Sequence, residues 1–313
     1  MIFRLMKASD KLLTSMEKSW KRFPKAWKES RSRPSEKSVH NLRVNIRRLI
    51  AILELTQSIS GEVGEIERLQ RRFKKVLKRM GPLRDVQVQL KNISNVRASE
   101  AVGDFKRTLK RRERQEIEHV RKSLKPRRKR RLSKAIGASQ EQLPRLRAKL
   151  DDTKVRGDVE RLLELRRKEF EQARARFNPS VEETLHEMRI ALKKLRYVVE
   201  AAQPVLGEWT KESARSMQAW QTLLGDTRDV AILQAGLEEW ADRKGKKALK
   251  SIAPVSAQLK RERARLLKRI TQSAAGFGDL RPLKESTLAP VQLGSREIAP
   301  ATQGGDLERL NRS

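Results

Sequence analysis

The sequence predicts an all-α protein made of two related helical bundles followed by a flexible C-terminal tail. Two observations carry that prediction. Apolar residues recur at three- and four-residue intervals along most of the chain, which places them on one face of a helix turning about 100° per residue. A stretch that begins at His40 also returns at His186. In the first copy Leu42, Ile46, Leu49 and Leu53 form the apolar stripe, with His40, Arg43 and Arg47 on another face. In the second, Leu185, Met188, Leu192, Leu195 and Val199 form the stripe, with His186, Arg189 and Lys193 in the matching places. Length alone permits one domain or two, and the repeat decides for two: residues 1–150, residues 151–275 and a tail over 276–313.

Taken in order, residues 1–27 carry Leu5, Leu12, Leu13, Met16, Trp20 and Phe23 among lysines, a spacing that suits an amphipathic helix. Pro24 is expected to interfere with that helix near its end. Ser, Arg and Pro crowd residues 31–38; Ser35 or Ser38 is placed to cap the His40 helix, and Gly61 and Gly64 to end it. Leu69, Phe73, Val76, Leu77 and Met80 mark a second helix over 65–80, stopped by Gly81 and Pro82. Arg84, Asp85 and Val86 open a third helix through Leu90, with Asp85 favouring its N-terminus. A long charged helix over about 102–124 ends at Pro126, so the first copy reads as an antiparallel four-helix bundle.

Residues 125–144 read as a connection with some helix. Lys125, Arg127, Arg128, Lys129, Arg130 and Arg131 crowd its start, either as a solvated junction or as a peripheral polyanion contact. A helix over about 155–177 leads through Asn178, Pro179 and Ser180, a stop and a cap, into the His186 helix. The second copy then keeps the order of the first: a helix with Met217, Trp220, Leu223 and Leu224, then Gly225, then Arg228, Asp229 and Val230. Both copies end in a charged helix, at residues 109–114 and 259–263. Beyond Gly276, prolines and glycines without periodicity read as the flexible tail.

Charge sets the leading partner. The 313 residues include 73 Lys and Arg against 39 Asp and Glu, a net charge of +34, so compaction works against self-repulsion unless a polyanion relieves it. Aromatic residues make up only 4%, which argues against the stacking platforms of single-stranded nucleic-acid binders while leaving backbone contact open. There is no cysteine, so disulfides and thiolate metal sites are excluded. Arg4, Lys7, Asp10 and Lys11 break the N-terminal stretch and no apolar run approaches a membrane span; a cytoplasmic protein with no membrane partner is expected.

A helix that presents His, Arg and then Arg or Lys about one turn apart offers successive cations to successive phosphates, and Arg grips phosphate oxygens bidentately. Finding the same phase in two copies strengthens this. His40 and His186 allow several readings: donors to phosphate whose pKa rises when polyanion binds, phospho-accepting histidines of a phosphorelay, or packed structural histidines. As metal ligands they lack further donors, since His119 lies on an unrelated charged helix. Arg112 and Arg263 interrupt apolar stripes and are expected to face inward, toward Asp85, Asp229 or a bound anion. Arg84 and Arg228 divide between pairing inside the bundle and facing a ligand. Arg72, Lys75 and Arg79 share one flank of the second helix, although their counterparts in the second copy are mostly neutral. No Gly-rich phosphate loop and no set of acid, base and nucleophile stands out, so no catalysis, cofactor or metal is expected.

His40-Asn-Leu-Arg-Val-Asn-Ile-Arg-Arg-Leu and His186-Glu-Met-Arg-Ile-Ala-Leu-Lys-Lys-Leu-Arg-Tyr, each followed by a Gly-x-x-Arg-Asp turn, closely resemble the CHAD domain, the conserved histidine α-helical domain, over about residues 5–272. The resemblance implies two four-helix bundles related by pseudo-twofold symmetry, with a basic surface and a central pore that bind inorganic polyphosphate. It implies a binding module, often associated with polyphosphate granules or fused to a triphosphate-tunnel domain, and no such partner domain is read in this sequence. The positions it carries over are His40, Arg43, Arg47 and Arg48, and His186, Arg189, Lys193, Lys194 and Arg196. Together with Lys75, Arg79, Arg84, Arg112, Arg228 and Arg263 they form the expected polyphosphate-binding set. Ile50 stands opposite Arg196, so the two copies are not expected to contribute equally. Binding of RNA or other nucleic-acid backbone, and histidine phosphotransfer, are the alternatives.

Overall fold

The computed structural model describes residues 7–61, 64–149, 151–206 and 209–274, and among these every regular element is an α-helix. Leu5 and the expected tail lie outside the described residues. The helices are α1 (Ala8–Ser32), α2 (Glu36–Ser60), α3 (Gly64–Arg79), α4 (Gly81–Ile93), α5 (Glu100–Ser123), α6 (Pro126–Lys149), α7 (Asp152–Ala175), α8 (Glu182–Leu206), α9 (Trp209–Lys244) and α10 (Lys246–Ala274).

Local chemistry sets most of the boundaries. Ser35 caps α2, its hydroxyl accepting from the Ser38 backbone N–H at 3.2 Å, and Asp151 caps α7 in the same way. Gly61 closes α2 with φ 71°, and Gly245 separates α9 from α10 with φ 93°, both in the left-handed region that a Cβ penalises.

Three expectations are corrected. The first helix runs through Pro24 to Ser32. Phe23 and Trp27 are buried on either side of Pro24, Phe23 meets Phe73 edge-on at 5.5 Å, and the Trp27 indole N–H donates to the Leu124 carbonyl at 3.0 Å; this packing outweighs one missing backbone bond. Residues 126–149 form the continuous helix α6 rather than a connection. Pro126 occupies its first turn, where a missing N–H costs nothing, and Leu132 and Ile136 anchor it in the core.

The third correction concerns the second Gly-x-x-Arg-Asp segment, which is not a turn. Gly225 lies inside α9, a single helix of 36 residues, whereas Gly81 begins a new helix after α3. The neighbouring residue explains the difference. Pro82 has no N–H to continue the ladder of α3, while Asp226 follows Gly225 and keeps it.

Two clusters of buried apolar side chains make up the core. One gathers α1, α2, α3 and α6 with parts of α4, α5 and α7; the other gathers α9 and α10 with other parts of α4, α5 and α7. Helix α8 belongs to both. Leu185, Met188, Leu192, Leu195 and Val199 face the second cluster, and Tyr197, Val198, Ala201, Ala202 and Val205 face the first. Because α8 is buried on two sides, it packs directly against α2, and the two motif helices become neighbours.

Candidate functional site

The packing of α8 on α2 brings the two basic faces into one place. Arg43 and Arg47 come from α2, Arg189 and Lys193 from α8, Arg84 from the first turn of α4 and Arg228 from the middle of α9. Arg43 feels the charges of Arg47, Arg84 and Arg189, and Lys193 those of Arg47, Arg189, Arg43 and Arg228. Cations from both repeats therefore lie within range of one another's fields. Asp85 and Asp229, the residues that follow Arg84 and Arg228, are the carboxylates whose fields favour the charge on Arg189.

The titration of these groups records the crowding. Burial first, and then the Arg47 charge, brings the Arg43 guanidinium down to about 10. Burial and then Arg228 bring Arg189 down to about 10. Lys193 lies well below the ordinary ammonium range, chiefly through burial and then through Arg47, Arg189 and Arg43. Burial also raises the Asp229 carboxyl, against the pull of Arg189, Arg84 and Arg228. A charged anion at this place would offset what the free protein bears.

Part of the cluster is tied to the scaffold. Arg43 Nη1 donates to the Leu77 carbonyl at 2.7 Å, near the C-terminus of α3, where a cation is favoured. Arg84 Nη1 donates to Glu36 Oε1 at 2.7 Å, so it both pairs locally and lends its charge to His40 and Arg43. The remainder is unsatisfied. The Nε of Arg189 is buried without a hydrogen-bond partner, and among the described residues Arg47, Lys193 and Arg228 form no ion pair.

Two cavities open beside these groups. One of about 300 Å³ is lined by Arg47, Arg189, Lys193 and Lys194 with Glu54 and Tyr197, and one of about 420 Å³ by His186, Arg189 and Arg228 with Glu182 and Glu183. Arg189 borders both. His40 is solvent-exposed on α2; desolvation of its ring, then Arg84 and Arg47, lower its pKa below the ordinary imidazole value, with Glu36 opposing.

Other expected members of the set lie elsewhere. Arg196 is only 7% exposed; its Nε donates to Gln221 Oε1 at 2.9 Å, its Nη1 pairs with Glu200, and its guanidinium carbon stands 4.6 Å from the Tyr197 ring centre. Arg48 pairs with the same Glu200 at 3.2 Å. Both cations are thus spent on a bracket between α2 and α8. Lys194 borders the first cavity and stands 3.8 Å from Glu169.

Lys75 and Arg79 are exposed on α3, and the charge of Arg79 acts on Arg128 of α6. Arg112 is exposed, contrary to the inward position expected of it. The buried line on α5 from Leu109 to Val120 runs through half-buried Glu113, Glu116 and Ile117, which puts Arg112 one position off that face. Arg263 is 30% exposed with a buried, unpartnered Nε, and its ion pair is with Glu182 at 3.9 Å rather than with Asp85 or Asp229.

The acids that fix the site are the residues that periodicity passed over. Glu54 and Glu200 occupy the same place in the two copies: Glu200 takes Arg196 and Arg48, and Glu54 takes Arg166 from α7. The cation absent at Ile50 is thus supplied from another helix. The Arg196 and Glu200 spacing of four on a helix is the one signal of this bracket present in the sequence.

These features define a class, an all-helical scaffold in which two repeated helices jointly build one cationic groove. The CHAD domain matches residues 14–238, and the chain belongs to the CHAD domain family. CHAD domains are generally described as binding rather than catalysing, and the family is associated with polyphosphate. The fold is also similar to the crystal structure of the CHAD domain from the plant Ricinus communis, at 19% identity and TM-score 0.64 over 92% of this chain and 93% of that one. PptA from Streptomyces chartreusis is similar at 14% identity and TM-score 0.52, over 87% of this chain and 100% of that one. No match is found among curated proteins. No described helix is long and apolar enough to cross a membrane.

Proposed function

We propose that this chain binds inorganic polyphosphate, without catalysing its turnover, through the groove that α2 and α8 form together. The observation that carries this reading is the convergence of Arg43, Arg47, Arg84, Arg189, Lys193 and Arg228 from both copies of the motif, opposed mainly by Asp85 and Asp229. A linear anion lying past Arg189 reaches both cavities, with His186 and Lys194 at its margins and His40 within the fields of Arg84 and Arg47. Each phosphate that replaces a like-charge contact with an ion pair lowers the free energy of the cluster, and condensed counterions are released as it does so.

Polyphosphate suits the groove better than RNA does. Tyr197, the aromatic side chain of the site, is buried beneath Arg196 and offers no platform on which a base could stack. The reading treats residues 1–150 and 151–275 as two related copies, α2 supplying one wall of the groove and α8 the other. It places the protein in the cytoplasm, at polyphosphate granules.

Titration with long-chain polyphosphate, beside RNA and pyrophosphate and across a salt series, tests the proposal. Affinity should fall linearly in a log–log plot against salt, and RNA should displace polyphosphate only at a large excess of phosphate. Displacement by RNA at equal phosphate concentration would replace this reading with nucleic-acid binding.

A further inference from the structure

Away from the groove, α5 and α9 border an open cavity of about 500 Å³ lined by Arg107, Lys110, Arg111, Arg114, Trp240 and Lys244, with Asp104 and Thr108 beside them. The four α5 cations stand at i, i+3, i+4 and i+7, so they share one helix face. In an amphipathic helix that spacing normally carries the apolar stripe. Here it carries charge, and the face it forms borders a space. On α9, Trp240 and Lys244 stand one turn apart and border the same space. At a helical rise of about 1.5 Å per residue, Trp240 lies about 18 Å along α9 from Arg228, so this cavity and the groove are separate places.

Little within the protein balances the charge. Asp104 pairs with Arg107, and Arg111 reaches only the Thr108 hydroxyl, at 3.5 Å. Among the described residues Lys110, Arg114 and Lys244 form no ion pair. Trp240 is 5% exposed, its ring held 5.8 Å from that of Phe105, and its indole N–H is buried without a hydrogen-bond partner. A cavity rimmed by cations that nothing among the described residues pairs is an arrangement that an oxyanion completes.

We infer that the cavity between α5 and α9 is a second anion site, independent of the groove, which takes a compact triphosphate group over Trp240. A cavity of about 500 Å³ suits a short occupant, and the cations on the α5 face match a group that carries several charges on neighbouring phosphates. That chemistry comes from two sources, a free tripolyphosphate or the triphosphate of a nucleotide, and the experiment separates them.

Tripolyphosphate and ATP are titrated calorimetrically into the full chain carrying Arg43→Ala and Arg189→Ala, which weakens the groove. One equivalent of binding should persist. Adding Lys110→Ala and Arg114→Ala, both at exposed positions, should weaken it by more than about tenfold. Ligand should change the indole fluorescence of the background protein, and Trp240→Phe should abolish that change. Equal affinity for the two ligands assigns the site to the phosphate chain, and tighter ATP binding assigns it to a nucleotide. Absence of binding in the background protein, or binding indifferent to Lys110 and Arg114, overturns the inference while leaving the groove untouched.

Discussion

Arg189→Met should make the ligand-free protein more stable. Burial and the Arg228 charge bring this guanidinium down to about 10, and a depression of that extent corresponds to about 3 kcal/mol against the charged form. The unfolded chain holds the proton more tightly than the native one, so the whole penalty is present at pH 7 and is relieved only as pH rises through about 10. Methionine keeps an apolar stem of similar length, and the Nε it removes has no hydrogen bond to lose. Asp229 loses an opposing cation in the exchange, which takes back part of the gain. A net increase of about 1–2 kcal/mol remains. Urea unfolding at pH 7 measures it, and the same variant should show a smaller stabilisation by polyphosphate than the wild type. A ligand-free variant less stable than wild type would refute the idea that the groove is held together against its own charge.

Three further outcomes follow from the same geometry. Burial, then Asp229, raises Asp226 to about 6, so the native state holds its proton more tightly and stability falls as pH climbs from about 3.8 to about 6. Asp226→Asn should therefore stabilise the protein by about 1–3 kcal/mol at pH 7 and by almost nothing at pH 4; equal shifts of the urea midpoint at both would contradict this. The His40 imidazole, lowered in the free protein by desolvation and by Arg84 and Arg47, should titrate at higher pH once polyphosphate neutralises those arginines, which proton NMR of the ring would follow. Leu192, fully buried behind the cations of α8, should cost about 2–5 kcal/mol when cut to Ala; a loss below 1 kcal/mol by chemical denaturation would mean that α8 is not the pivot of the core.

Much of this was legible from residue spacing. The stripes of α2 and α8 are buried as their periodicity requires, and the cations between those stripes face a common space. The position of α8 between two apolar clusters was also written in the chain, since Leu195, Tyr197, Val198, Val199, Ala201 and Ala202 leave little of its C-terminal half polar. A single-face reading of the helix hides that. Partner choice across helices was not legible: nothing local tells Arg48 to share Glu200 with Arg196, or gives Glu54 to Arg166. Nor does a shared motif guarantee a shared backbone. Gly-x-x-Arg-Asp delivers its arginine to the groove from a helix start in one copy and from mid-helix in the other, and a proline stands beside Gly81 where Asp226 follows Gly225. Arg112 shows the opposite limit, where an error of one position turns a cation from the core to solvent.

The most direct test removes both walls at once. Arg43, Arg47, Arg189 and Lys193 are changed together to Ala, helix content is followed by circular dichroism, and long-chain polyphosphate is titrated calorimetrically at low salt. A helical protein that no longer binds is the predicted result. A helical protein that binds as tightly as wild type would contradict the claim that two duplicated helices make one anion site.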